Sequence, residues 1–346
     1  GFACDRQCAP MDSLSQIALG AAVGVAAMGR RTAVWKAALW GAVAGTLPDL
    51  DVLIDHGDPI RNMVLHRAET HAPFWLTLFS LPFAAAVAWL QGEWWQWRRW
   101  WLAMWLVLVT HPLLDAMTVY GTRLGLPFTD HPFGVASIFI IDPLYTLPLL
   151  VGTGWALVAR GSGRAFAANA AGLVLSTAYL GWGVLAQQQV ERVAHASLAA
   201  QGIAAEHVLV TPTAFNTVLW RVIAVAGDNY VEGFRSLLDD APTMHFDRFP
   251  RGQALAAELQ GLDGVRRIAA FSKGFYKLRQ DGDRVLLTDL RMGQEPDYIF
   301  TFVVAQRESP LVPLAVPEQV GSRPDLARGL PWLWRRALGE PLPPPR

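Results

Sequence analysis

LHRAETHAPFWLTLFSLPF, residues 65–83, sets two histidines, an arginine and a glutamate against an apolar run that continues to Leu90. A soluble amphipathic helix spreads its ionisable groups along one wet face. Here they are bunched at one end. Spanning a bilayer takes about 20 apolar residues, with a range of about 17–25, and the run 72–90 has that length. Taken as a membrane span with a polar mouth, it decides the fold of the first half of the chain.

Five further apolar segments lie around it, at 14–29, 33–47, 100–119, 143–159 and 165–187. The first two are short and rich in glycine and alanine (GAAVGVAAMG, AALWGAVAG). Small residues let membrane helices approach closely, so these two predict a tight hairpin. Trp94, Trp95, Trp97, Trp100 and Trp101 cluster at the start of the fourth segment, as an interfacial aromatic belt does. The expectation is an α-helical integral membrane domain of about six spans over 11–188. Arg30, Arg31 and Lys36, then Arg98 and Arg99, then Arg160 and Arg164 mark three short connections. With six spans these share one side, and the positive-inside rule makes it cytoplasmic. The connections 48–71 and 120–142, and everything after 188, then face outward.

Hydrophobic residues make up 52% of the chain and charged ones 17%, a balance that favours lipid surroundings over an all-soluble helical core. Formal net charge is zero, so no overall field points to nucleic acid; membrane lipids are the expected partners. Cys4 and Cys8 are the only cysteines, which excludes a thiolate zinc site and a multi-bridge framework. Residues 1–10, GFACDRQCAP, are unlike the stretch that starts at Met11 and are taken as a leader or tag-like extension before it.

From about 190 the pattern changes. ERVAHASLAAQGIAAEHV is an amphipathic helical stretch, and LWRVIAVAG, YVEGFRSL, GFYKLRQ, RVLLTDLR and YIFTFVVAQ are strand-like runs. Turn signals between them (AGDN, RQDGDR, RMGQEPD) predict antiparallel hairpins. A small α+β domain with an antiparallel sheet is expected over 189–310, followed by a proline-rich tail, 311–346, extended or disordered.

The outward connections hold the candidate chemistry. In GTLPDLDVLIDHGDP, Pro48 should end the second helix because its ring cannot join the hydrogen-bond ladder. Asp49 and Asp51 then fall on the loop at the membrane boundary. His66 and His71 come next, and HPLLD places His111 and Asp115 at i, i+4, stacked on one helix face. Oxygen and imidazole donors without sulfur suit zinc first and also admit manganese or magnesium. A histidine and an aspartate inside an apolar helix are costly unless paired or metal-bound. Alone, His111 and Asp115 read equally as a hydrogen-bonded pair holding helices together; the acid and histidine clusters on the same side favour a shared cation.

Together PDLD, HRAETHA and HPLLDAMTVYG resemble the motif series of the YdjM-like family of membrane-bound metal-dependent hydrolases. That series runs LPDxD, HRGxTHS and HxxxDxxTxxG, and the likeness covers residues 11 to about 160. The chain departs from it at Ala68, Glu69 and Ala72, which leaves the ligand positions intact and removes a serine hydroxyl. The HxxxD element is also similar to one that supplies metal ligands in zinc phospholipases C. The resemblance implies His66, His71, His111 and Asp115 as metal ligands, Asp49 as a further ligand and Asp51 as general base. A bound divalent cation lowers the pKa of its water to about 7, and a carboxylate beside it can take the proton. Arg67 suits a phosphate oxygen, since guanidinium offers a flat fork of donors; pairing with Asp49 or Asp51 as scaffold is the equal alternative. Glu69 reads as a solvated flank.

The expectation is therefore a multi-pass hydrolase of the bacterial inner membrane, using a divalent metal. Its site and C-terminal domain face the periplasm, and its substrate is a phosphoester or lipid headgroup at the outer interface. The alternative is a membrane-anchored scaffold or a transporter with a structural metal or ion site. Segments one, three and six carry no polar file of the kind an ion pathway needs. Asp142 reads as a helix cap, and Asp130 and His131 as exposed loop residues. His195, His207 and His245 lack partners at ligand spacing.

Overall fold

Proline and glycine punctuate the chain as their backbone chemistry dictates. A computed structural model describes residues 9–160, 162–308, 311–322 and 325–346, with side chains from residue 14 onward. Cys4, Cys8 and most of the leader 1–10 lie outside the described residues. Helix α1 (Ala9–Met28) turns into α2 (Val34–Thr46) as a close hairpin. A Cβ on Gly20 would strike the Gly41 carbonyl, and one on Gly41 would strike that of Gly20. The two backbones therefore touch where only glycine leaves room.

Helix α2 stops at Thr46, and the chain bends through a 3-10 turn, Pro48–Leu53. The short helix α3 (Pro59–Leu65) follows, then a second 3-10 turn, Glu69–His71. Helix α4 (Pro73–Leu90) begins on a proline, whose missing N–H is no loss in a first turn. Helix α5 (Trp97–Ala116) packs against α1, α2 and α4. The Asp142 carboxylate caps α6 (Pro143–Val158), accepting from the Leu144 N–H at 2.9 Å. Helix α7 (Gly163–Ala200) runs 38 residues without a break. The sixth apolar segment and the amphipathic stretch after it, expected as separate pieces, are thus one helix. Val25, Met28, Ala84, Trp100, Met104 and Leu108 belong to the helical core.

One end of the helices is pinned by Glu93. Its carboxylate accepts from Thr32 Oγ1 at 2.8 Å, Lys36 Nζ at 3.0 Å, Gln96 Nε2 at 2.7 Å and Trp100 Nε1 at 2.9 Å. Arg30 lies 6.0 Å from the Phe166 ring at the start of α7. The three basic connections accordingly gather at this end, and Asp49, His71 and His111 lie toward the other. Among the described residues, α4 and α7 are long and apolar enough to cross a membrane; α6 is apolar but only 16 residues long.

The chain divides into two compact units. The first comprises residues up to Ile54, His66–Gly183 and Ala214–Asn216; the second comprises Asp55–Leu65, Val184–Thr213 and Thr217–Arg346. In the second, β1 (His207–Pro212), β2 (Leu219–Ala226), β3 (Asn229–Ser236) and β4 (Asp247–Pro250) form an antiparallel sheet in that order. Strand alternation gives β2 two apolar faces. Trp220, Val222 and Ala224 pack with Ala186, Val190 and Ala194 of α7, while Ile223 and Val225 meet Phe275, Leu290 and Tyr298.

Helices α8 (Gln253–Leu259) and α9 (Asp263–Phe271) precede a second antiparallel sheet. It is built from β5 (Tyr276–Asp281), β6 (Arg284–Asp289), β9 (Thr301–Gln306) and β10 (Val312–Gln319), in the order β10-β9-β6-β5. A small hairpin, β7 (Gly293–Gln294) with β8 (Asp297–Tyr298), is inserted. The five strand-like runs correspond to β2, β3, β5, β6 and β9. The tail differs from its expectation: within 311–346 the described residues form β10 and an amphipathic helix, α10 (Leu326–Ala337). An edge strand needs only one bonded side, so it accommodates Pro313 and Pro317. Asp325 caps α10, accepting from the Ala327 N–H at 2.9 Å.

Candidate metal centre

Three chain segments bring donors to one point. The 3-10 turn after α2 carries Asp49, the turn before α4 carries His71, and the last two turns of α5 carry His111 and Asp115. One donor atom from each of the four lies within 4.8 Å of every other. The two imidazole Nε2 atoms are 3.1 Å apart. Asp49 Oδ1 stands 3.4 Å from both of them, and Asp115 Oδ2 stands 3.2 Å from His71 and 3.3 Å from His111.

The surrounding hydrogen bonds fix what those atoms are. His111 Nδ1 donates to the Gly45 carbonyl at 2.7 Å. Thr70 Oγ1 donates to Asp51 Oδ2 at 2.7 Å and so accepts from His71 Nδ1 at 2.9 Å. With both Nδ1 protons committed, both Nε2 lone pairs point inward, toward each other and toward two carboxylate oxygens. Four electron-rich atoms at such spacing repel unless a cation joins them. This outer arrangement is the one that orients metal-ligating histidines.

The spacing fits a divalent ion. Four donors at about 2.0–2.2 Å in a tetrahedron stand about 3.3–3.6 Å apart, and adjacent donors of an octahedron at about 2.1 Å stand about 3.0 Å apart. Five of the six donor pairs stand 3.1–3.4 Å apart, across both ranges, and the Asp49–Asp115 pair lies within 4.8 Å, so geometry admits zinc, manganese or magnesium alike. Two carboxylates also match the double charge. Asp115 Oδ2 and Asp49 Oδ2 are buried and accept no hydrogen bond.

Asp115 is oriented through its other oxygen. Oδ1 accepts from Gln16 Nε2 at 2.9 Å and lies 3.4 Å from Arg67 Nη2. Gln16 also donates to the His111 carbonyl at 3.2 Å. Neither Gln16 nor Thr70 is among the residues singled out from the sequence. Gln16 had a signal, an amide set in an apolar segment, costly in lipid without a partner. A small cavity of about 10 Å³, room for about one water, lies among Gln16, Asp115, Thr118, Asp142 and Tyr145.

The remaining expected site residues fall outside the group of four. His66 Nδ1 is 2.7 Å from Asp51 Oδ1, and its ring stacks edge-on with Tyr120 at 5.8 Å. Asp51 sits behind His71: its oxygens take His66, the Arg67 N–H at 3.1 Å and Thr70. Burial would raise the Asp51 carboxyl, but His66 chiefly, with His71 and Thr70, brings it below its ordinary value.

Arg67 turns its guanidinium toward Asp115, while its backbone N–H is bonded to Asp51 Oδ2 at 3.1 Å. Its backbone turns through the left-handed region (φ 62°), swinging the side chain inward, where it is 1% exposed. There it reaches Asp115, donates to Thr118 Oγ1 at 3.3 Å and lies over the Tyr120 ring at 5.1 Å. Asp142 caps α6 and accepts from the Tyr179 hydroxyl at 2.9 Å. Asp130 and His131 are exposed.

Comparison with curated proteins and with solved structures gives no match. A profile of the family described as YdjM inner membrane protein matches residues 11–190, which include every donor of the candidate centre and its supporting groups. The chain therefore belongs to the YdjM inner membrane protein family.

Proposed function

We propose that the chain is a multi-pass enzyme of the inner membrane, a metal-dependent hydrolase acting on a phosphoester or lipid headgroup. In this reading about six helices span the bilayer. The basic end pinned by Glu93 is cytoplasmic, and the centre and the sheet unit are periplasmic, as the positive-inside rule requires. The observation that carries the proposal is the convergence of two imidazole nitrogens, 3.1 Å apart, with two carboxylate oxygens that each stand 3.2–3.4 Å from both.

A divalent cation held by Asp49, His71, His111 and Asp115, zinc first among the candidates, would supply an activated water at neutral pH. The chain's own groups have distinct parts. Asp51 and Thr70 hold the His71 tautomer, Gly45 holds that of His111, and Gln16 and Arg67 turn Asp115 inward. Asp49 Oδ2, buried without a hydrogen bond, is the acceptor placed to take a proton from water. A buried Arg67 serves as a positioning residue rather than a substrate clamp.

Metal analysis of the detergent-purified chain tests this, with His111→Ala and Asp115→Ala beside the wild type. One bound divalent ion in the wild type and its loss in both variants is the expected result. Equal metal in all three proteins removes the centre. A wild type that holds metal yet hydrolyses neither phosphomonoesters nor phospholipids leaves a structural cation site in a membrane scaffold.

A further inference from the structure

The four donors differ in access. His71, His111 and Asp115 are 0%, 1% and 2% exposed at the side chain, whereas Asp49 is 18% exposed. Of the four, Asp49 is therefore the least buried donor. The residues beside it on the Pro48–Leu53 turn and just after are apolar and open: Leu50 at 53%, Val52 at 46%, Leu53 at 79% and Ile54 at 52%. A turn at a watery mouth has no reason to expose four such side chains in five positions.

Their pattern explains the arrangement. Asp51, between Leu50 and Val52, points inward to His66 and Thr70, so the turn presents its apolar side chains outward and its carboxylate to the interior. The neighbouring surface continues the apolar character. Helix α4, which has spanning length, starts two residues after His71 and exposes Phe74, Trp75 and Leu78. Phe128, on the connection after α5, meets Phe74 edge-on at 5.6 Å.

We propose that Leu50–Ile54 is a lip immersed in the outer leaflet, and that the centre is entered across it from the bilayer. The molecule it admits is then an amphiphile carrying a phosphate ester, whose hydrocarbon part stays in lipid while its polar group reaches Asp49. The chemical class deepens the hydrolase reading and rests on it; the immersion of the lip does not.

The test uses the full chain with Cys4→Ser and Cys8→Ser, in vesicles of phosphatidylethanolamine and phosphatidylglycerol. A nitroxide is placed at Leu53→Cys, with Phe79→Cys on α4 as lipid reference and Asp281→Cys at the end of β5 as water reference. Leu53 should rank with Phe79, colliding with oxygen and shielded from a nickel chelate. A Leu53 label that behaves like Asp281 overturns the lip.

A second arm loads the protein with Mn²⁺ and reads phosphorus relaxation of vesicle phosphatidylglycerol against glycerol phosphate in water. Enhancement of the vesicle lipid, lost in Leu53→Asp/Ile54→Asp with Mn²⁺ retained, supports entry from the bilayer. Equal or greater enhancement of glycerol phosphate overturns it. If the wild type retains no Mn²⁺, the metal reading falls, and the nitroxide result still decides the lip.

Discussion

His111 Nδ1 donates to the carbonyl of Gly45 at 2.7 Å, joining the C-terminal end of α5 to that of α2 across 66 residues of sequence. The bond fixes the imidazole so that Nε2 is the free nitrogen, and it satisfies a carbonyl that α2 leaves without a partner before Pro48. A helix end and a ligand orientation are thus one feature.

The parallel chain on the other histidine runs through Thr70 to Asp51. Thr70→Val removes the hydroxyl that accepts from His71 and donates to Asp51. Metal affinity should fall about 10- to 100-fold, the usual effect of losing such a supporting group, while Thr70→Ser keeps it. Competition with a chelator of known affinity measures the change.

Arg67 and Asp115 are both almost fully buried. Arg67→Met leaves the aspartate without its fixed cation and should cost about 3–5 kcal/mol of stability in metal-free protein. Arg67→Met combined with Asp115→Asn should recover much of that loss, because the two sites share one interaction. Unfolding in mixed micelles, metal-free, gives the cycle.

Glu93 makes the opposite end pH-sensitive. Burial would raise its carboxyl, but donors from Thr32, Lys36, Trp100 and Gln96 outweigh burial and hold it below the glutamate range. Its folded value is depressed, so its contribution is complete above about pH 4.3 and disappears as pH falls through the lower folded value. Glu93→Gln should lose about 1–3 kcal/mol at neutral pH and lack that acid step. Melting temperature in detergent against pH, for both proteins, distinguishes them.

The α1–α2 hairpin gives a steric prediction. Gly41→Val forces a side chain into the Gly20 carbonyl and should destabilise the helical unit by at least about 1–3 kcal/mol. Gly29→Ala, where a Cβ meets nothing within 4 Å, adds no collision and costs only its left-handed turn. Proteolysis rates of the two variants in detergent should differ accordingly.

Much of the centre was legible because its chemistry is conspicuous in apolar surroundings. Asp49, His71, His111 and Asp115 stand out as ionisable groups at the ends of hydrophobic runs. His66 and Asp51 stand out equally, and residue type alone does not say that they face each other rather than the inner donors. That division comes from the left-handed turn at Arg67, a residue type that carries no signal for such a backbone. Gln16 was hidden by its position on α1, far in sequence from the groups it serves. The strands of the second unit were readable from alternation, whereas β10 was obscured by prolines that an edge strand tolerates. Helix α10 was obscured by its placement in a proline-rich tail.

The donors of the centre come from the segment after α2, the segment before α4 and the end of α5. During synthesis Asp49 and His71 emerge before His111 and Asp115, so a chain grown only to residue 110 owns two of the four. Cation uptake can then be complete only after α5 has been inserted and seated against α2. Under the proposed metal reading, cation content would report that α5 has been seated against α2, separating such chains from those stalled before it.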